Sequence, residues 1–449
     1  MKKTLKKLGV LIISLSMIMG LGATVLASED LNGGEVGGYT SPDDPKTKDK
    51  SVNIQKELKA YNVDGLDVFA PTITYTYQIE PGTADKSITD EDTDHNPQAA
   101  VTKKTIAGIT TGVTMTGTSQ DKIEWTPAEK LETDTDGKPN YKNLVVDFSS
   151  VVFTGPGVYR YKITETASAY AASGVTETTG THVRYLDVYV MASSTYTDGT
   201  QASDWDIYGY VCLYEDDDIT PDGDTTTTGA VKTNGFVTAS KTEGTTTTDI
   251  PADSYYTFNV TVSKSLTGDN SSKNHQFPVN VDYTNATVTN NVKLDATVTG
   301  TATDYAHDAH AASDLDGLAL IADGGSIKYI GIPCGTSVEV YETNDVANVT
   351  YKTTLTVDGT AGTTKEISST NTPGAFAAYT VANYNSLNGQ IATSANTDDD
   401  TSHTVAIANV FQTISPTGVI IRTAPYILLL GAGVVLFVLS RRWGKKENA

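Results

Sequence analysis

Apolar and polar residues alternate in short runs along most of this chain, and clusters of Gly, Asp, Asn and Pro break the runs about every dozen residues. Tyr185-Leu186-Asp187-Val188-Tyr189-Val190, Val260-Thr261-Val262 and Val338-Glu339-Val340-Tyr341 are typical. Successive side chains of a strand point to opposite faces, so a period of two fits half-buried strands, whereas a helix would repeat its apolar positions at three and four. No long segment of the body has the helical repeat, and an all-β chain of β-sandwiches is expected. With 38% hydrophobic residues the chain can fill real cores, and 449 residues suit two domains with processed ends.

The ends read as address signals. Lys2, Lys3, Lys6 and Lys7 precede an apolar run from Leu8 to Leu21, and Val25-Leu26-Ala27 supplies the small residues that a signal peptidase needs. Residues 1–27 are therefore expected to be a signal peptide, and 28–47, rich in Gly, Pro and Asp, a flexible segment. At the other end Ala424 to Leu439 is almost wholly apolar, with Arg422 before it and Arg441, Arg442, Lys445 and Lys446 after it. That is the pattern of a short membrane span, 424–439, with a positive cytoplasmic stop, and it puts the body outside the cell. The net charge of -22, with no basic cluster between the ends, argues against nucleic acid as a partner. Only two cysteines occur, Cys212 and Cys334, in different halves, which excludes a disulfide framework. An exported chain without disulfides must be hardened by packing or by another covalent chemistry.

The stretch from Lys241 to Ser254, KTEGTTTTDIPADS, is polar and Thr-rich and is read as a linker (241–254) between a first domain, 48–240, and a second, 255–412. The halves look like diverged copies of one plan. Each opens with a strand carrying a lysine among apolar residues of the same parity: Val52, Ile54, Lys56 and Leu58, then Phe258, Val260, Val262, Lys264 and Leu266. Each has a later strand with a glutamate so placed: Tyr159, Tyr161, Ile163 and Glu165, then Val338, Val340 and Glu342. The second half closes with Val405, Ile407, Asn409 and Phe411 on one face. Parity thus turns Lys, Glu and Asn toward the core.

Burying a lone ammonium or carboxylate costs several kcal/mol, so chance placement on inward faces is a poor explanation. One reading is a buried Lys-Glu salt bridge with an Asn bonded to it. The other is a reaction. Desolvation lowers a lysine pKa and raises that of a glutamate, so a neutral amine and a protonated carboxyl can coexist at neutral pH. The amine then attacks the Asn carboxamide while the Glu donates to its oxygen and shuttles protons to the departing ammonia, leaving a Lys-Asn isopeptide bond.

The residues from Val262-Ser263-Lys264-Ser265-Leu266-Thr267-Gly268 through Gly325-Ser326-Ile327, Ile332-Pro333 and Val340-Tyr341-Glu342 to Ile407-Ala408-Asn409 resemble the streptococcal pilin isopeptide linkage domain of Gram-positive backbone pilins. The first half is similar at Val52-Asn53-Ile54-Gln55-Lys56 and from Gly157 to Glu165. The resemblance implies two tandem immunoglobulin-like β-sandwiches, with Lys and Asn on first and last strands and Glu as acid/base. In the second domain the implied triad is Lys264, Glu342 and Asn409. The first domain departs from the pattern: Lys56 and Glu165 have their places, but Thr238 stands where the family has Asn, and Asn234, earlier with the right parity, is the candidate partner.

The same resemblance gives meaning to Ile414-Ser415-Pro416-Thr417-Gly418 ahead of the span, since sortases cleave a Leu-Pro-x-Thr-Gly type signal followed by an apolar segment and a basic tail. Residues 413–449 are then a sorting signal, cleaved between Thr417 and Gly418. The implied partners are a sortase, further copies of the chain, minor pilins and cell wall peptidoglycan; Lys232 is the best match for the lysine that joins subunits. The expected protein is a pilus shaft subunit on the surface of a Gram-positive bacterium, not an enzyme beyond one autocatalytic turnover. The alternative is a monomeric wall-anchored adhesin or stalk. No cofactor or metal site is expected: His307-x-x-His310 lacks a third ligand, and Asp134-Thr135-Asp136-Gly137 and Asp216-Asp217-Asp218 lack the spacing of calcium loops and read as turns.

Overall fold

The computed structural model describes residues 49–89, 102–167, 174–177, 182–216, 231–243, 246–268, 273–284, 293–304, 316–334, 337–342, 351–362, 364–367, 380–381, 402–411 and 428–438. The signal peptide, the 28–47 segment, His307, His310, Asp217, Asp218 and the motif 414–418 with Thr417 and Gly418 lie outside these residues. The principal strands of the first half are β1 (Ser51–Asn62), β2 (Ile73–Pro81), β3 (Lys138–Asp147), β4 (Gly157–Ala167), β5 (Val183–Ala192), β6 (Trp205–Leu213), β7 (Gly235–Phe236), β8 (Ala239–Glu243) and β9 (Thr246–Ile250). Those of the second are β10 (Asp253–Thr267), β11 (Phe277–Thr284), β12 (Asp316–Ile321), β13 (Ser326–Pro333), β14 (Ser337–Glu342), β15 (Tyr351–Val357) and β16 (His403–Phe411).

Each half forms a sandwich-like unit, because every long strand has one apolar face to bury. In the first, β1 pairs antiparallel with β3, and a second sheet runs β6-β5-β4-β2. Val52, Ile54, Leu144 and Val146 from one sheet share a core with Tyr75, Tyr77, Tyr161, Ile163 and Val188 from the other. In the second, β15-β16-β10 with β13 beyond β10 faces β12-β11-β14, burying Val260, Val262, Ile327 and Ile407 against Val279, Val281, Ile321 and Val340. Burial at this level is worth about 1.5–3 kcal/mol per large aliphatic side chain.

The long strand β10 belongs to both units. Its start, Asp253 to Thr257, runs parallel to Leu58–Asn62 of β1, and Val260 to Thr267 runs parallel to His403–Val410 of β16. Within the stretch read as a linker, β8 and β9 pair antiparallel among the described residues, and Asp253 and Ser254 already belong to β10. The physical reason is the threonine run itself, whose β-branched side chains favour strand over coil.

Cys212 and Cys334 are free, the first inside one core and the second packed against the other. Burial pushes the Cys212 thiol up to about 12, so it behaves as a small apolar side chain. Asp134 to Gly137 forms a turn in which the Asp134 carboxylate accepts from the Asp136 amide, and the Asp216 carboxylate accepts from Arg160. Residues 428–438 of the expected span are helical and expose their apolar side chains, Leu428 to 73%. No helix among the described residues is long and apolar enough to cross a membrane.

Candidate functional site

The second unit brings Lys264, Glu342 and Asn409 together between its sheets. Parity sets this locally, since each polar residue continues the inward face of an apolar strand: Val260 and Val262 before Lys264, Val338 and Val340 before Glu342, Val405 and Ile407 before Asn409. The Lys264 and Glu342 side chains are 0% exposed. Lys264 Nζ donates to Glu342 Oε2, and Asn409 Nδ2 donates to Glu342 Oε1 at 2.7 Å. The Tyr351 hydroxyl donates to the same Oε1 at 2.9 Å, and the Thr353 hydroxyl donates to Asn409 Oδ1 at 2.8 Å. The Phe277 ring lies 4.6 Å from Nζ. Burial pushes the Lys264 ammonium down to about 8, with the Glu342 carboxylate partly offsetting it.

This geometry differs in one respect from the sequence expectation, in which the glutamate serves the carboxamide oxygen. Glu342 instead touches both nitrogens, the lysine's and the carboxamide's, while Thr353 serves the oxygen. A carboxylate so placed can take a proton from the amine and deliver it to the nitrogen that would leave. Tyr351 and Thr353 were not singled out from sequence, although the alternation Tyr351, Thr353, Leu355, Val357 puts both on an inward face.

In the first unit Lys56 and Glu165 meet in the same way. Lys56 Nζ lies 2.8 Å from Glu165 Oε1, the Tyr77 hydroxyl donates to Glu165 Oε2 at 2.7 Å, and the Tyr75 ring lies 4.0 Å from Nζ. His182 Nδ1 stands 3.8 Å from Glu165 Oε1, and His182 Nε2 is 2.6 Å from Glu177. Burial pushes the Glu165 carboxyl up, but Lys56, His182 and Tyr77 outweigh it and hold it below the usual carboxylate range. The nearby Glu165 carboxylate raises the His182 imidazole, against the opposing effect of burial.

Asn234 is not part of this cluster. Its backbone carbonyl accepts from the Gln55 amide at 2.8 Å, and its Oδ1 is buried with no hydrogen-bond partner among the described residues. The following Gly235, at φ +140°, abuts β1 so closely that a Cβ would stand 2.4 Å from the Gln55 carbonyl oxygen. Thr238, the position where the family pattern has Asn, binds Glu57 through its amide at 2.8 Å and its hydroxyl at 3.0 Å. The third partner of Lys56 is Asp253, whose Oδ2 is 2.7 Å from Nζ and whose side chain is 0% exposed. Lys232 sits at an isolated bridge to Leu213, half-buried at the edge of the first unit.

No protein-family profile and no curated protein matches this chain. Solved structures similar to it include the major pilin from Streptococcus pyogenes, 18% identical, covering 81% of this chain and 99% of that one with a TM-score of 0.35. A second major pilin of that species is 16% identical over 80% of this chain and 98% of its own, again at 0.35. A pilus-presented adhesin is 10% identical over 80% and 99%, at 0.23. Likeness at this level identifies no family, and the reading of function rests on the lysine sites.

Proposed function

We propose that this chain is the shaft subunit of a sortase-assembled surface pilus of a Gram-positive bacterium, stiffened by a Lys264-Asn409 isopeptide bond that it makes itself. The observation that supports this is the dry contact of Lys264, Glu342 and Asn409, with one carboxylate bridging both nitrogens. The Lys264 ammonium gives a proton to Glu342, and the neutral amine attacks Asn409 Cγ. Charge developing on Oδ1 meets the Thr353 hydroxyl. Glu342 passes its proton to Nδ2, the Cγ–Nδ2 bond breaks, and the ammonia takes up the amine's second proton and leaves as ammonium. The contact is already made in the fold, so proximity supplies the rate and no cofactor is required.

Polymerisation follows from the sorting signal. A sortase cysteine attacks the Thr417 carbonyl, Gly418 onward stays in the membrane, and a lysine of the next subunit, for which Lys232 is the candidate, resolves the acyl-enzyme. Minor pilins and the peptidoglycan would be joined by the same transfer. Wall extracts of producing cells should then show a ladder of high-mass species that survive boiling in SDS, lost in Thr417→Ala. A single wall-linked species would instead make the chain a monomeric stalk or adhesin.

A further inference from the structure

The closing edge of the first sandwich is interrupted. β7 runs parallel to β1 with Phe236 opposite Lys56, the chain then leaves for the antiparallel β8–β9 pair, and it returns to the same edge as β10 with Asp253 opposite Leu58. In the second unit β16 runs parallel to β10 without a break, with Ile407 opposite Lys264 and Asn409 opposite Leu266. Asp253 therefore holds, relative to Lys56, the register that Asn409 holds relative to Lys264: one inward step beyond the lysine on the neighbouring parallel strand. The aromatic and hydroxyl neighbours repeat as well, Tyr75 and Tyr77 about Lys56 and Glu165 as Phe277 and Tyr351 about Lys264 and Glu342.

We propose that Lys56 and Asp253 join in an intramolecular amide formed with loss of water, which ties the first strand of the first sandwich to the strand that runs into the second. The proposal rests on the reading of Lys264 and Asn409 as a self-reacting pair. The reactants are already in contact at 2.7 Å, and both side chains are shut from solvent, at 3% and 0% exposure. The Lys56 ammonium passes a proton to Glu165 Oε1, 2.8 Å away. The neutral amine attacks Asp253 Cγ, one Cγ–O bond breaks, and the departing oxygen takes two protons, one through Glu165 and one from the attacking nitrogen, to leave as water. An ammonium and a carboxylate thus become one amide and one water, with charge and atoms balanced. Two ions that are costly to bury disappear together, and Glu165 is left with Tyr77 and His182 as partners. With both amides in place, tension entering before Lys56 passes to Asp253, along β10 to Lys264 and on to Asn409, so the chain between Lys56 and Asp253 and between Lys264 and Asn409 is bypassed.

The test is peptide mapping of the denatured full chain after trypsin. The expected product is a branched peptide in which cleavage after Lys56 has failed and the segment containing Asp253 is attached, lighter than its two parts by one water. Glu165→Gln should abolish this branch and leave the Lys264-Asn409 branch, which is lighter by one ammonia, intact. Asp253→Asn should change the loss at Lys56 from water to ammonia, a switch that a merely structural carboxylate would not produce. A wild-type linear peptide ending at Lys56 alongside an intact Lys264-Asn409 branch would overturn the proposal. Absence of the Lys264-Asn409 branch would overturn the reading on which it rests.

Discussion

Asn409→Ala separates a covalent crosslink from the hydrogen bonds around it. The crosslinked protein has already expelled Asn409 Nδ2, so beyond the bond itself the substitution removes one contact, the Thr353 hydroxyl to Oδ1, and it leaves Lys264 paired with Glu342. A lost hydrogen bond of this kind costs about 1 kcal/mol. The bond itself would close a loop of about 150 residues, and constraining the unfolded chain to that extent is worth about 5 kcal/mol. The total of about 6 kcal/mol lowers the melting temperature of a unit of this size by roughly 12–24 °C, at 2–4 °C per kcal/mol. Scanning calorimetry of wild type and variant reads it directly. A fall of only about 5 °C would mean that hydrogen bonds alone were lost and that Lys264 and Asn409 are not joined in the wild type.

Other perturbations follow from the same geometry. Thr353→Val should slow ammonia release about 100-fold when chain recovered unfolded and still uncrosslinked is folded for the first time, read by timed mass spectrometry, because it removes the donor to the carboxamide oxygen; an unchanged rate would remove Thr353 from the chemistry. In the uncrosslinked Asn409→Ala protein the folded Lys264 titrates near 8 and the unfolded one near 10.5, so between those values the unfolded state binds more protons. Its stability should therefore rise with pH across that window relative to Lys264→Met/Asn409→Ala in denaturant titrations, and a parallel dependence of the two would refute the lowered ammonium. Asp187→Ala should destabilise the first unit by about 3 kcal/mol, since it strips Arg160 of a buried bidentate partner at 2.7 and 2.8 Å. Chemical denaturation measures this, and a loss below about 1 kcal/mol would show that Asp216 suffices.

The inward faces were legible because strand parity is a local property: Val260, Val262 and Lys264 cannot be separated by any packing that keeps the strand. Thr353 was legible by the same rule, although nothing in the sequence distinguishes it from the chain's many other threonines. Asp253 was not legible. It sits in a polar, Thr-rich stretch with a proline two residues earlier, and its burial comes from pairing with a strand almost two hundred residues away in sequence. After Phe236 the chain leaves the closing edge for the β8–β9 pair, so Thr238, where the resemblance puts Asn, turns its side chain to Glu57 instead of Lys56. Asn234 had the right parity, but β7 brings its backbone, not its carboxamide, against β1.

The central claim is that the folded chain converts Lys264 and Asn409 into an amide, and the intact mass of the denatured full chain tests it most directly. Processing at the ends is fixed first by sequencing the terminal peptides. The expected mass then falls short of the sequence by an amount that includes one ammonia, and Glu342→Gln recovers that ammonia. A wild-type mass containing every ammonia of the sequence would contradict the account, leaving Lys264, Glu342 and Asn409 as a buried hydrogen-bonded cluster.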